Sequence, residues 1–354
     1  MSQVVYITVE PSEQTCVDGI SQKQSGWIHE HLIESADPVK GRQFRASHHI
    51  PKGTCLLVDR PYAVIPVVDE PAVNDNLICN NPACNRRAPR AERYSCLNAC
   101  IQDVAWCSSI CKDADKSRHD FECTWLKRYA ESIRNKLGEY EFGMLWLIVR
   151  LLATRHVELQ EHGSMTGSQT RRFKHGWEAI DSLCGSSGTW SHDQVKSWTT
   201  LVKKYLKSSP ALPHGLSTDR ILHLICQEEA NSFGLYPRET GHFPPPSPPI
   251  DRGEQFAAAV YPTAAIANHS CVPNIIHKPN DEGHMVFTAS RDIFPGQECC
   301  ISYFDLTQHS ELDSRRGHLR KSFRFVCHCD RCVSEEPAED TVEWSAMPLT
   351  DDTI

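Results

Sequence analysis

The protein has 354 residues, enough for two modest domains or for one domain with insertions. Hydrophobic residues make up 40% of the chain, which allows a sizeable core, and the formal net charge is −8. That acidic balance is not typical of a protein held on DNA by its own surface. No apolar run reaches the roughly eighteen residues that a membrane span requires. The N-terminal stretch contains no signal-peptide run, so a reducing compartment, the nucleus or the cytoplasm, is expected.

Short strands are predicted near the beginning of the chain, from Lys40 to Pro66, with a turn at Pro51–Gly53. This β pattern is interrupted by eight metal-type ligands, which form four pairs with three or four residues between the members of each pair. The ligands are Cys79, Cys84, Cys96, Cys100, Cys107, Cys111, His119 and Cys123. Such spacing allows a single turn to direct both members of a pair at one ion.

Eight ligands are enough for two tetrahedral zinc ions, because each ion takes four thiolate or imidazole groups. The segment that carries them has too few large apolar residues to form its own core, so metal binding has to provide much of its folding free energy. A disulfide framework is the alternative interpretation. A mixed set of cysteine and histidine suits zinc and does not suit disulfides, and a reducing compartment disfavours disulfides as well.

Helical periodicity follows the ligand pairs. Apolar residues recur at helical spacing over residues 124–160, and a second helical region is predicted over about 190–229, with breaks near Pro210 and Pro213. The run Pro244–Pro249 contains five prolines and predicts an extended surface loop.

The last third of the chain carries a second group of motifs. Ala267–Asn274 reads Ala-Asn-His-Ser-Cys-Val-Pro-Asn, and Gly296–Tyr303 reads Gly-Gln-Glu-Cys-Cys-Ile-Ser-Tyr. Strands are predicted at Gly283–Ser290 and Glu298–Tyr303, and a charged helix over Thr307–Ser322. A Cys-x-Cys-x-x-Cys cluster comes next, and its members are Cys327, Cys329 and Cys332.

Three thiolates leave a tetrahedral zinc one ligand short, and Cys271 is the natural fourth. A reduced cysteine loop without metal is the alternative, but three thiols this close together would be open to oxidation. A third zinc at this position would attach the C-terminal segment to the Asn268–Asn274 motif.

Together these motifs resemble those of SET and MYND domain-containing (SMYD-like) protein lysine methyltransferases. The first cysteine segment, with Trp106–Ser108 and His119–Cys123, is similar to a MYND zinc finger. Asn268–Asn274 matches the Asn-His-Ser-Cys-x-Pro-Asn motif of SET domains, and Gly296–Tyr303 matches their Gly-Glu-Glu-Leu…Tyr motif approximately. The C-terminal cysteines match the post-SET zinc cluster, so the resemblance covers residues 38 to 335.

The resemblance implies an α+β fold, in which a SET domain of small sheets with a pseudoknot-like C-terminal segment is split by a MYND finger and a helical insert. The implied units are 1–78 for the first part of the SET domain, 79–123 for the finger, 124–229 for the helical insert, 230–305 for the second part of the SET domain, 306–335 for the zinc-bound post-SET segment and 336–354 for an acidic tail that we expect to be disordered. The finger is expected to interleave its ligands, with Cys79, Cys84, Cys107 and Cys111 on one zinc and Cys96, Cys100, His119 and Cys123 on the other.

The resemblance also implies an activity, the transfer of methyl groups from S-adenosylmethionine to lysine side chains of histone or non-histone proteins. Tyr303 is expected beside the transferring methyl group and Tyr261 in the lysine channel, although each could simply pack in the core. The residues implied for cofactor binding are Lys40, Gly41, Arg42, Asn231, Asn268, His269, Tyr303 and Phe325.

One departure from the family pattern keeps a second function open. Family members often have Arg-Gly-x-Gly where this chain has Lys40–Gln43, and a side chain at Gln43 is expected to need a permissive backbone angle and to crowd the cofactor. The alternative is therefore a catalytically weak scaffold that docks proline-rich proteins at the finger, with a role in transcriptional regulation. Direct DNA binding through the arginines between residues 86 and 93 is disfavoured by the acidic chain.

Overall fold

The computed structural model describes residues 26–67, 76–162, 173–185, 188–207 and 216–336. Helices and antiparallel strands alternate along these ranges, which confirms the predicted α+β class. The acidic tail from residue 337 onward and the breaks expected at Pro210 and Pro213 lie outside the described residues. Within the described ranges, no helix combines the length and the apolar character that crossing a bilayer would take.

The strands are short and spread over the chain. In order they are β1 (Trp27–Ile28), β2 (Leu32–Asp37), β3 (Gly41–Ala46), β4 (Cys55–Asp59), β5 (Ala63–Pro66), β6 (Asn76–Ile78), β7 (Arg87–Pro89), β8 (Tyr94–Ser95), β9 (Ala105–Trp106), β10 (Ser232–Leu235), β11 (Ala257–Val260), β12 (Ile275–Pro279) and β13 (Met285–Ala289). The strands predicted over Lys40–Pro66 and Gly283–Ser290 are therefore present.

The helices fall mostly between the two groups of strands. They are α1 (Ser109–Ala114), α2 (Lys116–Leu137), α3 (Glu139–His162), α4 (Gly176–Asp181), α5 (His192–Leu201), α6 (Thr218–Asn231), α7 (Leu312–Ser322) and α8 (Asp330–Ser334), and a π-helical turn, Val202–Lys207, continues α5. The predicted helical region at 124–160 is thus two helices, because Gly138 adopts a φ of 107° between them.

Two antiparallel sheets combine strands from the beginning and from the end of the chain. One has the order β1-β4-β13-β12 and the other the order β10-β11-β5, while β2 and β3 form a separate hairpin. In the second sheet Ala63 lies opposite Val260 and Pro66 opposite Ala257. Because the cysteine segment and the helices lie between these partners in sequence, they form an insertion into one sheet-based domain.

The predicted strand Glu298–Tyr303 is not a regular strand. The backbone N–H of Cys299 donates to the Phe44 carbonyl (2.8 Å), whereas that of Ile301 donates to the Asn268 carbonyl (3.0 Å). The segment therefore passes between two separate pieces of backbone and bonds to each in turn, so no continuous ladder forms. This threading matches the pseudoknot-like arrangement that the resemblance implied.

The predicted charged helix is shorter than expected, because α7 begins at Leu312 rather than at Thr307. The Asp305 carboxylate accepts hydrogen bonds from the backbone N–H (2.9 Å) and the hydroxyl (2.7 Å) of Thr307. Such a side-chain turn competes with helical bonding and delays the helix start.

A fully buried ion pair joins the insertion to the sheets. Glu122 on α2 accepts from the Arg150 Nε (2.7 Å) and Nη2 (2.8 Å) on α3, and Arg118 Nη1 lies 2.9 Å from its Oε1. Arg150 continues to the backbone carbonyl of Val64 in β5 (2.8 Å) and to the Asn80 side chain (2.7 Å). Burial alone would raise the pKa of Glu122, but the two arginines outweigh it and hold that pKa well below the usual range.

We predict that Glu122→Gln lowers the free energy of unfolding by about 3–5 kcal/mol, because it leaves two buried guanidinium groups without their shared carboxylate. Urea denaturation of the zinc-loaded protein at neutral pH measures this value. Glu131→Gln, on an exposed position of α2, is the matched control and should leave the unfolding free energy nearly unchanged. A loss for Glu122→Gln as small as the control's would contradict the role of the pair.

Candidate active site and metal centres

Three groups of side chains have the composition and spacing of zinc sites. In each group the ligand atoms all lie within 4.8 Å of one another. The groups are Cys79, Cys84, Cys107 and Cys111; Cys96, Cys100, His119 and Cys123; and Cys271, Cys327, Cys329 and Cys332. The structure thus brings together the same three sets that were expected, including the interleaving of the first two.

The sulfur separations fit a bound zinc ion. The Cys84 and Cys107 sulfurs are 3.6 Å apart, as are those of Cys107 and Cys111. Two thiolates on a tetrahedral zinc, each at about 2.3 Å from the metal, lie about 3.8 Å apart. No disulfide joins any of the eleven cysteines in these groups, all of which lie in the described ranges. The three groups can therefore hold three zinc ions.

Local structure aims the finger ligands. The hairpin of β6 and β7 presents the first pair, and the hairpin of β8 and β9 presents the second. Ser108 caps α1, since its side chain accepts from the backbone N–H of Cys111 (3.1 Å) and so fixes the turn on which that ligand sits. His119 and Cys123 occupy one face of α2, four residues apart.

The third group binds the C-terminal segment to the SET-like core. The sulfur of Cys271, which follows the Asn-His-Ser motif, lies 3.6 Å from that of Cys332 and 4.0 Å from that of Cys327. The segment before these cysteines carries Phe323 and Phe325 to the aromatic ring of Tyr303, with ring centroids 4.9 and 6.2 Å away. Metal binding at this group therefore positions two aromatic rings beside Tyr303, and one of them, Phe323, lines the cleft described below.

His269 links the third metal group to Tyr303. Its Nδ1 accepts from the backbone N–H of Tyr303 (3.1 Å), so this nitrogen carries no proton and Nε2 carries it instead. Nε2 lies 3.2 Å from the Cys271 sulfur. Burial lowers the pKa of His269 to about 3, which keeps the ring neutral. Since both ring nitrogens are engaged within the protein, the histidine predicted to bind cofactor acts as a bridge between the metal group and the tyrosine.

The Tyr303 hydroxyl is fixed at the wall of a cleft. It donates to the Ala267 carbonyl (3.0 Å), and both residues line a cleft with roughly 620 Å³ of empty volume, partly open to solvent. Asn231 and Phe323 line the same cleft. Burial raises the pKa of the Tyr303 phenol, so the hydroxyl stays neutral at physiological pH and keeps its lone pairs available to a donor.

Of the two asparagines predicted to bind cofactor, Asn231 is among the described residues that line the cleft and Asn268 is not. Asn231 Nδ2 donates to the backbone carbonyls of Cys184 and Gln227 (2.7 Å each), and no described residue donates to its Oδ1. That oxygen is therefore an acceptor available at the cleft. Asn268 Nδ2 donates to Glu298 Oε1 (2.9 Å) and to the Arg42 carbonyl (3.3 Å).

Glu298 is a residue that sequence reasoning missed. Besides Asn268, it binds Lys40, whose Nζ lies 2.5 Å from Oε2. It therefore joins two of the residues predicted for cofactor binding, one from the β2–β3 hairpin and one from the Asn-His motif. The sequence did contain a signal for this residue, because Glu298 lies in the matched Gly-x-Glu motif. An acidic side chain with little exposure to water needs a cationic or hydrogen-bonding partner.

The backbone conformation at Gln43 differs from the one expected from the sequence. Gln43 lies inside β3 opposite Ser35, and it is not among the described non-glycine residues that have a positive φ. With its amide nitrogen turned to Glu298 Oε1 (3.0 Å), its oxygen accepts from Arg45 Nε (3.0 Å). The side chain is thus buried in polar contacts within an ordinary strand, and the expected need for a permissive backbone angle was wrong. The glycine before it, Gly41, does have a positive φ of 75°.

Tyr261 lies behind the cleft rather than in it. It is fully buried, its hydroxyl donates to the Gly283 carbonyl (2.5 Å), and its ring packs edge-on against Phe233. The described residues that line the cleft do not include Tyr261 but do include Phe233, Arg252 and His277. Tyr261 directly follows β11, and its ring packs against Phe233 in the interior. Sequence spacing alone could not distinguish this position from one in the lysine channel.

Sequence comparison with known proteins finds relatives that carry SET and MYND domains. The SET domain family profile matches residues 41–304. Human N-lysine methyltransferase SMYD2 is 24% identical over 313 residues, covering 88% of this chain and 62% of its own length. A SET and MYND domain-containing protein of Dictyostelium discoideum is 24% identical over 325 residues, covering 84% of this chain and 59% of its own.

A third relative matches a shorter region. The potential protein lysine methyltransferase SET6 of Saccharomyces cerevisiae is 35% identical over 120 residues, which is 34% of this chain and 30% of that protein. The chain spans about three fifths of the length of the first two relatives. Because the family profile covers most of the sequence, the chain belongs to the SET domain family. The resemblance to SET and MYND domain-containing proteins, drawn from the motifs, is likewise confirmed.

We predict that protein purified without chelator contains three zinc ions per chain, as measured by elemental analysis. Cys329→Ser should reduce the content to two and should also raise the mobility of Phe325, because that aromatic ring is held by the third metal group. Cys226→Ser, a buried cysteine outside the three groups, is the control and should keep three ions. A wild-type content of two or fewer would contradict this ligand assignment.

Proposed function

We propose that the protein transfers methyl groups from S-adenosylmethionine to lysine side chains of protein substrates, histone or non-histone. The observation that carries the proposal is the neutral Tyr303 hydroxyl, held by the Ala267 carbonyl at the wall of a cleft that Asn231 also lines. The similarity to human SMYD2, an N-lysine methyltransferase, supports the proposal. We further propose that the protein acts in the nucleus or the cytoplasm, where a reducing milieu keeps its eleven ligand cysteines reduced and able to bind metal.

The residues around the cleft fit the cofactor. When bound, S-adenosylmethionine supplies an electrophilic methyl group on a sulfonium sulfur. The available Oδ1 of Asn231 suits the ammonium group of its methionine part, and the aromatic ring of Phe325, 6.1 Å from that of His269, suits its adenine. We propose that Lys40, Gly41, Arg42 and Asn268 also contribute to cofactor binding. They are not among the described residues that line the cleft, and Glu298 joins Lys40 to Asn268.

The substrate lysine has to be neutral when it reacts, because an ammonium group has no lone pair. Its proton would leave to solvent, and the bound cofactor would supply the methyl group, with one nitrogen–carbon bond gained by the amine and one sulfur–carbon bond lost by the sulfonium. The Tyr303 hydroxyl donates a hydrogen bond to the Ala267 carbonyl, so its oxygen can accept a hydrogen bond from the amine and orient the lone pair of the amine nitrogen. The raised pKa of Tyr303 makes it an orienting group and not the base.

We predict that Tyr303→Phe lowers kcat at least tenfold, about 1.4 kcal/mol or more in activation free energy, while leaving cofactor affinity nearly unchanged. The rate should rise with pH in both proteins, because the titrating group is the substrate lysine, with an ordinary pKa of about 10.4. Steady-state methylation of lysine peptides, followed by mass spectrometry between pH 7 and 10, measures both effects.

Calorimetry with S-adenosylhomocysteine is the control, since it reports binding without turnover. An unchanged kcat for Tyr303→Phe would remove this residue from the mechanism. Cofactor binding without methylation of any lysine peptide by the wild-type protein would overturn the proposed activity and leave the scaffold function.

We also propose that the finger docks proline-rich protein segments, because it exposes apolar side chains beside its metal groups. Leu97 is 91% exposed and Ile110 is 79% exposed, and Tyr94 lies on the adjoining strand β8. α1 and the end of β8 are joined by Lys112, whose Nζ donates to the Ser95 carbonyl (2.7 Å). An aromatic ring flanked by apolar groups is the surface on which polyproline II segments bind.

Leu97→Glu should abolish binding of a proline-rich peptide library in a fluorescence anisotropy assay without changing zinc content. Equal binding by the variant and the wild type would refute docking at this surface.

DNA is a less suitable partner, because arginines of the finger make contacts within the protein. Arg93 Nε donates to the Ala88 carbonyl (2.8 Å), and Arg87 stacks on Phe256.

A further inference from the structure

The cleft carries a single charged side chain. Its described lining residues are apolar or neutral polar groups with the exception of Arg252. This is unexpected in a cleft that takes a lysine, because a guanidinium repels an ammonium group and attracts an anion. Arg252 therefore indicates what else a substrate brings into the cleft.

Arg252 lies at the far end of the cleft from the cofactor side. Strands β10 and β11 are antiparallel, with Ser232 opposite Val260 and Leu235 opposite Ala257. The chain reaches Ala267 and the Tyr303 hydroxyl from the Val260 end, whereas Arg252 precedes the Ala257 end. Asn231 and Tyr236 flank β10, so at about 3.3 Å per residue the two ends are about 16 Å apart. Arg252 therefore faces the residues that flank the target lysine, not the amine itself.

The arginine is held in place without an acidic partner. Its guanidinium carbon lies 3.6 Å from the centroid of the Tyr236 ring, and its backbone carbonyl accepts from the Arg238 N–H (3.2 Å). Gly253 closes this turn with a φ of 83°, and a Cβ there would lie 2.9 Å from Pro237. Within the ranges that the structure describes, no carboxylate lies within ion-pair distance of Arg252. Stacking uses the face of the guanidinium and leaves its N–H edge available.

The histidine on the lining, His277, adds no charge to that of Arg252. Burial, together with the charge of the nearby Arg252, lowers the pKa of His277 to about 4, so this imidazole is neutral. Nδ1 of His277 is buried and has no hydrogen-bond partner among the described residues. The cleft therefore keeps a net positive charge until a ligand supplies an anion.

We infer that Arg252 determines specificity by selecting substrates that carry an aspartate or glutamate side chain close to the target lysine. A planar guanidinium with a free edge binds a carboxylate through two parallel hydrogen bonds. The same carboxylate neutralises the positive charge that Arg252 brings to its end of the cleft. This inference rests on the proposed methyltransferase activity and adds the substrate class to it.

The test uses the full-length, zinc-loaded protein and a peptide library in which each peptide has one lysine. Glutamate, glutamine or arginine is placed in turn at each position flanking the lysine, and kcat/KM is measured by mass spectrometry. For the wild type, glutamate should exceed glutamine about tenfold at one or two flanking positions, mostly through KM, as for one charge-assisted pair. Arg252→Gln should remove this preference, and Arg252→Glu should reverse it in favour of arginine.

Arg320→Glu, on an exposed position of α7, is the matched control and should keep the wild-type preference. If Arg252→Glu does not fold, Arg252→Gln and Arg252→Lys still decide the matter, because only the lysine variant keeps the charge. Methylation without any preference for glutamate, or a preference that survives Arg252→Gln, would overturn this inference alone. If no library peptide is methylated although the cofactor binds, the proposed function fails and this inference fails with it.

Discussion

The buried ion pair between Glu122 and Arg150 is the constraint on which the arrangement of this protein depends. Glu122 lies between two ligands of one metal group, His119 and Cys123, and Arg150 reaches from it to the backbone of β5. A charge pair without exposure to water tolerates little displacement, because each partner would be left uncompensated. The finger is therefore fixed to the sheet-based domain and does not behave as an appended module.

Metal groups lie at two separate points along the chain, in the finger and in the C-terminal segment. In the finger the metal groups organise a segment of short hairpins, while the third group closes the C-terminal segment against the core. The third group is also continuous with the candidate active site, because His269 contacts both the Cys271 sulfur and the backbone of Tyr303. Structural and chemical roles are thus combined in one short motif.

The sequence predicted the ligand groups and the motif residues well, since cysteine spacing and the Asn-His-Ser pattern are local signals. It did not predict which aromatic residues reach the cleft: Tyr261 is in the core and Phe323 is at the wall. That choice depends on the pairing of β10 with β11 and on the fold-back of the C-terminal segment, which are long-range contacts. The buried contacts of Gln43 and the contacts of Glu298 with Lys40 and Asn268 also depend on a long-range feature. That feature is the passage of the Glu298–Tyr303 segment between two separate pieces of backbone.

The pairing of β5 with β11 also sets an order of events during synthesis. Ala63 and Val260 are opposite each other, although most of the chain has to be made between them, and Asp59 likewise accepts from the backbone of Thr263 and Ala264. The finger and helices α2 and α3 are made before β11, so their contacts with each other and that of Arg150 with Val64 in β5 can form earlier. The first strands are made early but lack their partner strands until the last quarter of the chain is synthesised. During that time their unpaired edges can be bound by chaperones.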